Sequence, residues 1–341
     1  MEPDARPWQA DREAIFERDD HACRYCDSDS GSRTDSSSCR VAAVGDVALE
    51  GTVHESALVT VCNDCFQTLN RSQDAVFDDR ARLFETIRDV TRRQSDAIST
   101  VASFASLATQ LPAAIEDGEN DRATYVTARQ DACLALAMVD ATLDPLERAP
   151  AESNLEALAA GTADRTGDGT SDAETADRTD DGTNDAETAD RTDDGTNDAE
   201  TADRTDDAVT TDGSEASDDP PAETLSTALE SFCTAARSLQ RDLREVLECS
   251  DGIAVGLGCC YGCFTGLEGA DDPVVLDPDS SRQCPTCGLE SPALEDWRDG
   301  DGDLAFDALY GAINDSLQAS SKTTTALTAR TQVVAECLFE K

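Results

Sequence analysis

Eight cysteines stand in four C-x2-C pairs: Cys23 with Cys26, Cys62 with Cys65, Cys260 with Cys263, and Cys284 with Cys287. A pair at this spacing turns two thiolates to one side of a tight loop, and two pairs complete a tetrahedral four-sulfur site suited to Zn2+. The pattern predicts two such ions, one on Cys23, Cys26, Cys62 and Cys65, the other on Cys260, Cys263, Cys284 and Cys287. The second set reads C-x2-C-x20-C-x2-C, the spacing of a zinc ribbon, with Gly262 and Gly288 beside the turns and short strands expected around Val274, Val275 and Leu276. Cys259 offers a competing C-x3-C with Cys263, but the two-residue spacing of the other three pairs favours Cys260. Cys39, Cys133, Cys233, Cys249 and Cys337 remain; Cys133, Cys233 and Cys337 fall in helical stretches, where a thiol behaves as a small buried hydrophobe. With two histidines in the chain, a cysteine–histidine nucleophile has little to draw on. No phosphate-cradling glycine loop and no nucleophile elbow is present.

The elements that must position these thiolates are helical. Leu83, Ile87, Val90, Gln94, Ala97, Val101, Phe104, Ala108 and Leu111 follow alternating steps of four and three, the seam of one long helix. Pro112 and the acidic stretch from Glu116 are expected to break it. Tyr125, Ala128, Ala132, Ala135, Val139, Thr142 and Leu146 mark a second seam; Leu225, Leu229, Phe232, Ala236, Leu239, Leu243 and Val246 a third; Leu309, Ile313, Leu317, Leu327, Val334 and Leu338 a fourth. Amphipathic helices with one apolar stripe each are marginal alone, so four of them predict an antiparallel bundle. The fold class expected is mainly α, a helical bundle with two small zinc-binding elements containing β structure.

Between the second and third seams a 13-residue unit, T-A-D-R-T-x-D-G-T-x-D-A-E, runs from Thr162 to Glu174, Thr175 to Glu187 and Thr188 to Glu200. It has no apolar residue larger than alanine, so stacked copies could bury no core. Residues 161–223 hold 22 acidic groups against 4 arginines, a local charge of −18, and self-repulsion should keep such a linker disordered and extended. The chain thus divides into a zinc domain at 1–72, a helical hairpin at 73–160, the acidic linker at 161–222, a bundle helix at 223–250, a zinc ribbon at 251–300 and a last bundle helix at 301–341. Overall, 72 acidic residues against 27 basic ones leave a net charge of −45, and Lys322 and Lys341 are the only lysines. Molar salt screens such repulsion over about 3 Å, so a halophilic cytoplasm is the expected setting. The N-terminal residues make no signal peptide and no run of apolar residues is long enough to span a bilayer, so no membrane partner is expected.

The first cysteine set carries a more specific signal. D-R-E-A-I-F-E-R-D-D-H-A-C-R-Y-C over residues 11–26 and A-L-V-T-V-C-N-D-C over residues 57–65 resemble the zinc-stabilised HNH endonuclease domain of haloarchaeal proteins. The resemblance covers residues 8–72, a fifth of the chain. The residues themselves suit a ββα unit, with strands drawn from the Val- and Ala-rich stretch Val41 to Leu49 and a short helix opening at Phe66, Gln67, Thr68 and Leu69, and in the family a structural zinc holds such a unit. In that family one histidine activates water, an asparagine orients the hairpin and a last histidine helps bind a divalent cation. Here Ala42 and Ala43, Ala57, and Phe66 stand at those positions. Methyl and phenyl groups neither accept a proton from water nor ligate a hard cation, so no catalytic residue is assigned.

Three functional readings follow: a catalytically degenerate, nuclease-derived module that binds nucleic acid or protein; an active HNH endonuclease with a relocated site drawing on His54, His21, Asp46 or Asp64; and a helical assembly factor whose zinc sites are purely structural. No small-molecule substrate is evident. A phosphate-binding surface would need an arginine face, for which Arg80, Arg82, Arg88, Arg92 and Arg93 on the first helix and Arg237, Arg241 and Arg244 on the third are candidates. Asp78, Asp79, Glu85 and Asp89 interleave with the first set, so pairing along the helix surface is the simpler expectation.

Overall fold

The computed structural model describes residues 8–26, 39–45, 53–70, 77, 79–118, 122–152, 155, 158, 224–267, 283–292, 294–300 and 304–339. The chain clusters into one unit of residues 1–163 and 223–341 and a second of residues 164–222. The 13-residue repeat, Asp46 and the ribbon strands expected near residue 275 lie outside the described residues.

The first unit is mainly helical. Four long helices, α3 (Arg80–Glu116), α4 (Arg122–Glu152), α5 (Leu225–Gly256) and α6 (Phe306–Phe339), follow a short N-terminal segment of α1 (Trp8–Arg18), β1 (Cys39–Ala43), a 3-10 turn (Glu55–Ala57), β2 (Leu58–Cys62) and α2 (Asn63–Leu69). α3 and α4 form a hairpin in which the Phe104 and Tyr125 rings lie 5.4 Å apart. α6 runs back along α3: the Thr91 and Thr331 hydroxyls meet at 3.4 Å, and Arg80 at the start of α3 donates to the Leu338 carbonyl at 3.0 Å. α4 and α5 meet in reverse order, Arg129 early in α4 pairing with Asp251 late in α5 while Asp140 and Asp144 further along α4 take Arg237 earlier in α5, so these two helices are antiparallel. α3 and α5 run parallel across the core, joined by Gln94, whose amide donates to the Ala236 carbonyl at 3.0 Å while accepting from Gln240 at 2.9 Å. One polar pair at a seam position rejects slipped registers, because any slip would leave buried amides unpaired.

Every seam residue expected on α3 and α5 is buried. Two helix ends differ from expectation. α3 runs through Pro112 to Glu116, since a proline in the last turn deletes one hydrogen bond, and the chain leaves the helix at Gly118, whose φ of +77° is left-handed. α5 continues six residues beyond 250, into the second cysteine set. In α4 and α6, Ala128, Thr142 and Leu317 are only half-buried, while Leu143, Ser316 and Ser320 face the interior. α3 contains a stretch of mean hydropathy 1.3, long and apolar enough by length and composition to cross a membrane; its large side chains line the bundle core, and Ser99, Ser103, Ser106 and Gln110 face outward.

β1 and β2 pair antiparallel with Cys39 opposite Cys62 and Ala43 opposite Leu58. Among the described residues the hairpin pairs β1 with the residues leading into the second cysteine pair; residues 46–49 of the expected strand stretch lie outside them. In the second cysteine set no strand forms among the described residues. Each pair is closed by one isolated bridge, Cys259 to Gly266 and Gln283 to Glu290.

Candidate metal centres

The first centre is assembled on α1, β2 and α2. α1 ends in Arg18 and Asp19, and their side chains clasp β2. Asp19 accepts the Thr60 amide at 2.8 Å, while Arg18 pairs with Asp19 at 2.8 Å and donates to the Glu55 and Leu58 carbonyls at 2.9 and 2.7 Å. The chain then turns through Asp20 and His21, both with positive φ, into the pair Cys23 and Cys26. The Arg24 amide bonds the Thr60 carbonyl at 3.0 Å, which lays this knuckle along β2. Cys62 closes β2 and caps α2, its sulfur accepting the Cys65 amide at 3.4 Å.

The four sulfurs of Cys23, Cys26, Cys62 and Cys65 lie within 4.8 Å of one another, with Cys26 and Cys62 at 3.8 Å. Those of Cys260, Cys263, Cys284 and Cys287 do the same, with Cys260 to Cys287 at 3.4 Å and Cys263 to Cys284 at 3.6 Å. A tetrahedral ion bonded to sulfur at about 2.3 Å holds its ligands roughly 3.8 Å apart, whereas a disulfide needs about 2.0 Å. All fourteen cysteines are unbridged. Each set can therefore hold a metal ion with four thiolates and no open position. Hydrogen bonding inside each set is asymmetric: the Cys65 thiol brings Cys23 down to about 4 and is itself raised, and the Cys287 thiol brings Cys260 down to about 5 and is likewise raised.

The two knuckles of the second centre share one backbone design. The Cys260 and Cys284 amides reach the Thr265 and Leu289 carbonyls at 2.8 Å, and the residue after each second cysteine bonds back to the first cysteine's carbonyl. That residue is left-handed in both, Gly288 at φ +77° and Phe264 at φ +54°. Phenylalanine there costs about 1–2 kcal/mol, offset by burying its ring 4.5 Å from Tyr125 of α4. Cys259 stays outside the set, its sulfur directed to the Leu257 carbonyl at 3.9 Å, so Cys260 and not Cys259 belongs to the converging four.

Both centres dock on the bundle through three consecutive residues of α4. Arg129 makes a two-pronged pair with the buried Asp251, at 2.9 Å from Nε and 2.9 Å from Nη2, and its guanidinium stacks 4.8 Å above the Tyr261 ring between Cys260 and Cys263. Gln130 donates to the Glu55 and Leu58 carbonyls at 3.2 and 3.1 Å. Asp131 accepts Arg24, between Cys23 and Cys26, at 2.6 and 2.7 Å. A second apolar face of α4, Cys133, Leu134 and Met138, packs on Val44, Val59, Val61 and the Cys23 and Cys65 side chains. The single-seam reading of α4 missed this face; its signal was the unbroken apolar run C-L-A-L-A-M-V over residues 133–139, which marks a helix buried on more than one side.

The other candidates resolve into structural roles. His54 caps the 3-10 turn, its Nδ1 accepting the Ser56 amide at 3.1 Å. His21 stacks on Phe16 at 6.1 Å in the turn that ends α1. Asp64 belongs to the first turn of α2. Among the described residues, groups of three or more converging His, Cys, Asp or Glu side chains are limited to the two cysteine sets. Val41, Ala42, Ala43 and Phe66 instead line a cleft of about 520 Å³ whose opposite wall is α4, with Asp140 and Asp144. Those carboxylates take Arg237 at 2.8 and 2.5 Å, and Asp140 also takes Arg244. Arg88 and Arg92 pair along α3 with Glu85 and Asp89 at 3.3 and 2.9 Å, Arg93 stacks 5.2 Å over Tyr25, and Arg241 donates to Ser238 at 2.9 Å.

No protein-family model, curated protein or solved structure matches the chain.

Proposed function

We propose that this protein is a zinc-dependent, non-catalytic scaffold: an HNH-like ββα unit and a second four-thiolate knuckle pair, fixed on one helical bundle, that together present a surface to a protein partner. The observation that carries the reading is the pair of closed four-sulfur sites. Four soft thiolates in a tetrahedron suit Zn2+, and an ion so enclosed keeps no coordination position for water or substrate, which is the arrangement of a structural metal.

Support for the non-catalytic part comes from what fills the place where an HNH domain works. A phosphodiester entering that cleft would meet the methyls of Ala42 and Ala43, the Phe66 ring and the carboxylates of Asp140 and Asp144. Support for a protein over a nucleic acid comes from the arginines. Phosphate binding draws its affinity from free cationic groups that displace counterions, and Arg88, Arg92, Arg237 and Arg244 are already matched to carboxylates of this chain.

Elemental analysis of protein purified in high salt is expected to give two zinc ions per chain, and plasmid nicking is expected to be absent with Mg2+, Mn2+, Ni2+ or Zn2+. A pull-down from salt-matched lysate should retain its protein partner after nuclease treatment. Cleavage that disappears in His54→Ala, or capture that depends on intact nucleic acid, would overturn the reading.

A further inference from the structure

We propose that the two metal centres are thermodynamically coupled through residues 129–131 of α4, so that the chain loads and loses its two ions together. This rests on the four-thiolate reading of both centres.

The geometry is a shared footing. The first variable residue of a knuckle in each centre, Arg24 in C-R-Y-C and Tyr261 in C-Y-G-C, docks on the same half-turn of helix: Arg24 on Asp131 at 2.6 Å, Tyr261 under Arg129 at 4.8 Å. Arg129 also lies close to the hairpin of the first centre. A Cβ added to Gly45, at the end of the β1 side of the hairpin, would lie 3.7 Å from its Nη1 and 3.6 Å from the Cys133 sulfur. Gly45 has φ +81°, a left-handed turn that glycine accepts without strain. Between Asp131 and Arg129, Gln130 holds the two carbonyls that flank the start of β2.

These contacts give each ion leverage over the other. With its ion, the second centre fixes Tyr261 and the end of α5, where Asp251 holds Arg129 in a site only 8–10% exposed at the side chains. Without it, four unpaired thiol groups no longer hold the knuckle, the Tyr261 ring is free to leave, and Arg129 loses one wall of its pocket. A buried guanidinium deprived of its surroundings must move or take up water. Either response shifts the half-turn that carries Gln130 and Asp131, and with it the clasp on β2 and Arg24. The reverse path follows by linkage: whatever the second ion does for the first, the first does equally for the second.

The test uses the full chain loaded with cadmium-113, whose nuclear resonance reports each four-thiolate site separately. Cys284→Ser with Cys287→Ser removes the second site and identifies the first-site resonance. That resonance is expected to disappear at about tenfold lower chelator concentration than in the native chain. Gln130→Ala with Asp131→Ala keeps all eight thiolates and the Arg129 pair with Asp251; there the two resonances, lost together in the native chain, are expected to vanish at separate chelator concentrations. A first-site resonance indifferent to loss of the second site, or joint loss persisting in the Gln130 and Asp131 variant, would overturn the coupling. Two ions that bind independently would leave the metal reading intact, whereas a native chain taking up fewer than two would refute that reading itself.

Discussion

Arg129 and Asp251, 122 residues apart in the chain, form a two-pronged ion pair at 2.9 Å inside the bundle, at the point where α4 and α5 meet the second cysteine set. Tyr125 adds a hydroxyl donor to the same carboxylate at 3.3 Å. Burial pushes the Asp251 carboxyl upward and Arg129 opposes that push, so neither charge is comfortable without the other. Arg129→Met is therefore expected to destabilise the fold by about 3–5 kcal/mol, the cost of an uncompensated buried charge. Denaturant melts in high salt check this, and combining it with Asp251→Leu should recover most of the loss.

Asp19 holds the Thr60 amide of a fully buried strand residue and two arginines besides. Asp19→Ala leaves that amide without a partner, at about 1–3 kcal/mol. Melting of the zinc-loaded chain should show the loss, and Asp20→Asn, one residue later on the exposed side and suited to the same left-handed φ, should lose far less.

Cys259 and Cys260 are adjacent but unequal. Cys260→Ser is expected to lower the metal content from two ions to one, and Cys259→Ser to leave it at two. Metal analysis of the two variants decides between the two spacings open in the sequence.

Phe264 occupies a left-handed backbone position and buries its ring on Tyr125. Loss of the ring costs about 3–5 kcal/mol, more than the strain it relieves. Both Phe264→Ala and Phe264→Gly should therefore destabilise, with glycine the milder by about 1 kcal/mol because it alone accepts φ +54° freely. A reversed order would argue against the left-handed turn.

Proton release should accompany metal uptake. Hydrogen bonds from Cys65 and Cys287 lower Cys23 and Cys260 to about 4 and about 5, whereas Cys65, Cys263 and Cys287 are raised. An ion needs all four sulfurs of a set deprotonated, so binding at pH 7 must expel the protons of the raised thiols. Zinc added to weakly buffered metal-free protein should acidify the solution, and affinity should fall as pH is lowered from 8 to 6. Uptake without acidification would contradict this.

Much of the bundle was legible because its seams are local. The nine positions from Leu83 to Leu111 repeat at helical spacing, and all nine are buried. The eight converging cysteines were legible for the same reason, since each knuckle is a four-residue turn. Pro112 misled because its effect depends on where the helix would end anyway. α4 misled because a period-based seam assigns one face to a helix, and α4 has two, one in the bundle core and one under the first centre. Arg129 and Asp131 carried no signal at all: an arginine and an aspartate on an acidic helical stretch look like solvent-facing charges until the strands and knuckles are laid against them.

By itself the sequence determined the local chemistry: which residues form helices and which thiols pair at two-residue spacing. Tertiary structure alone decided that the four sulfurs of each set converge, and that three consecutive residues of α4 hold both centres. The physical reason is range. Periodicity and turn spacing are properties of a few neighbouring residues, whereas a salt bridge across 107 or 122 positions exists only after the core has brought its ends together.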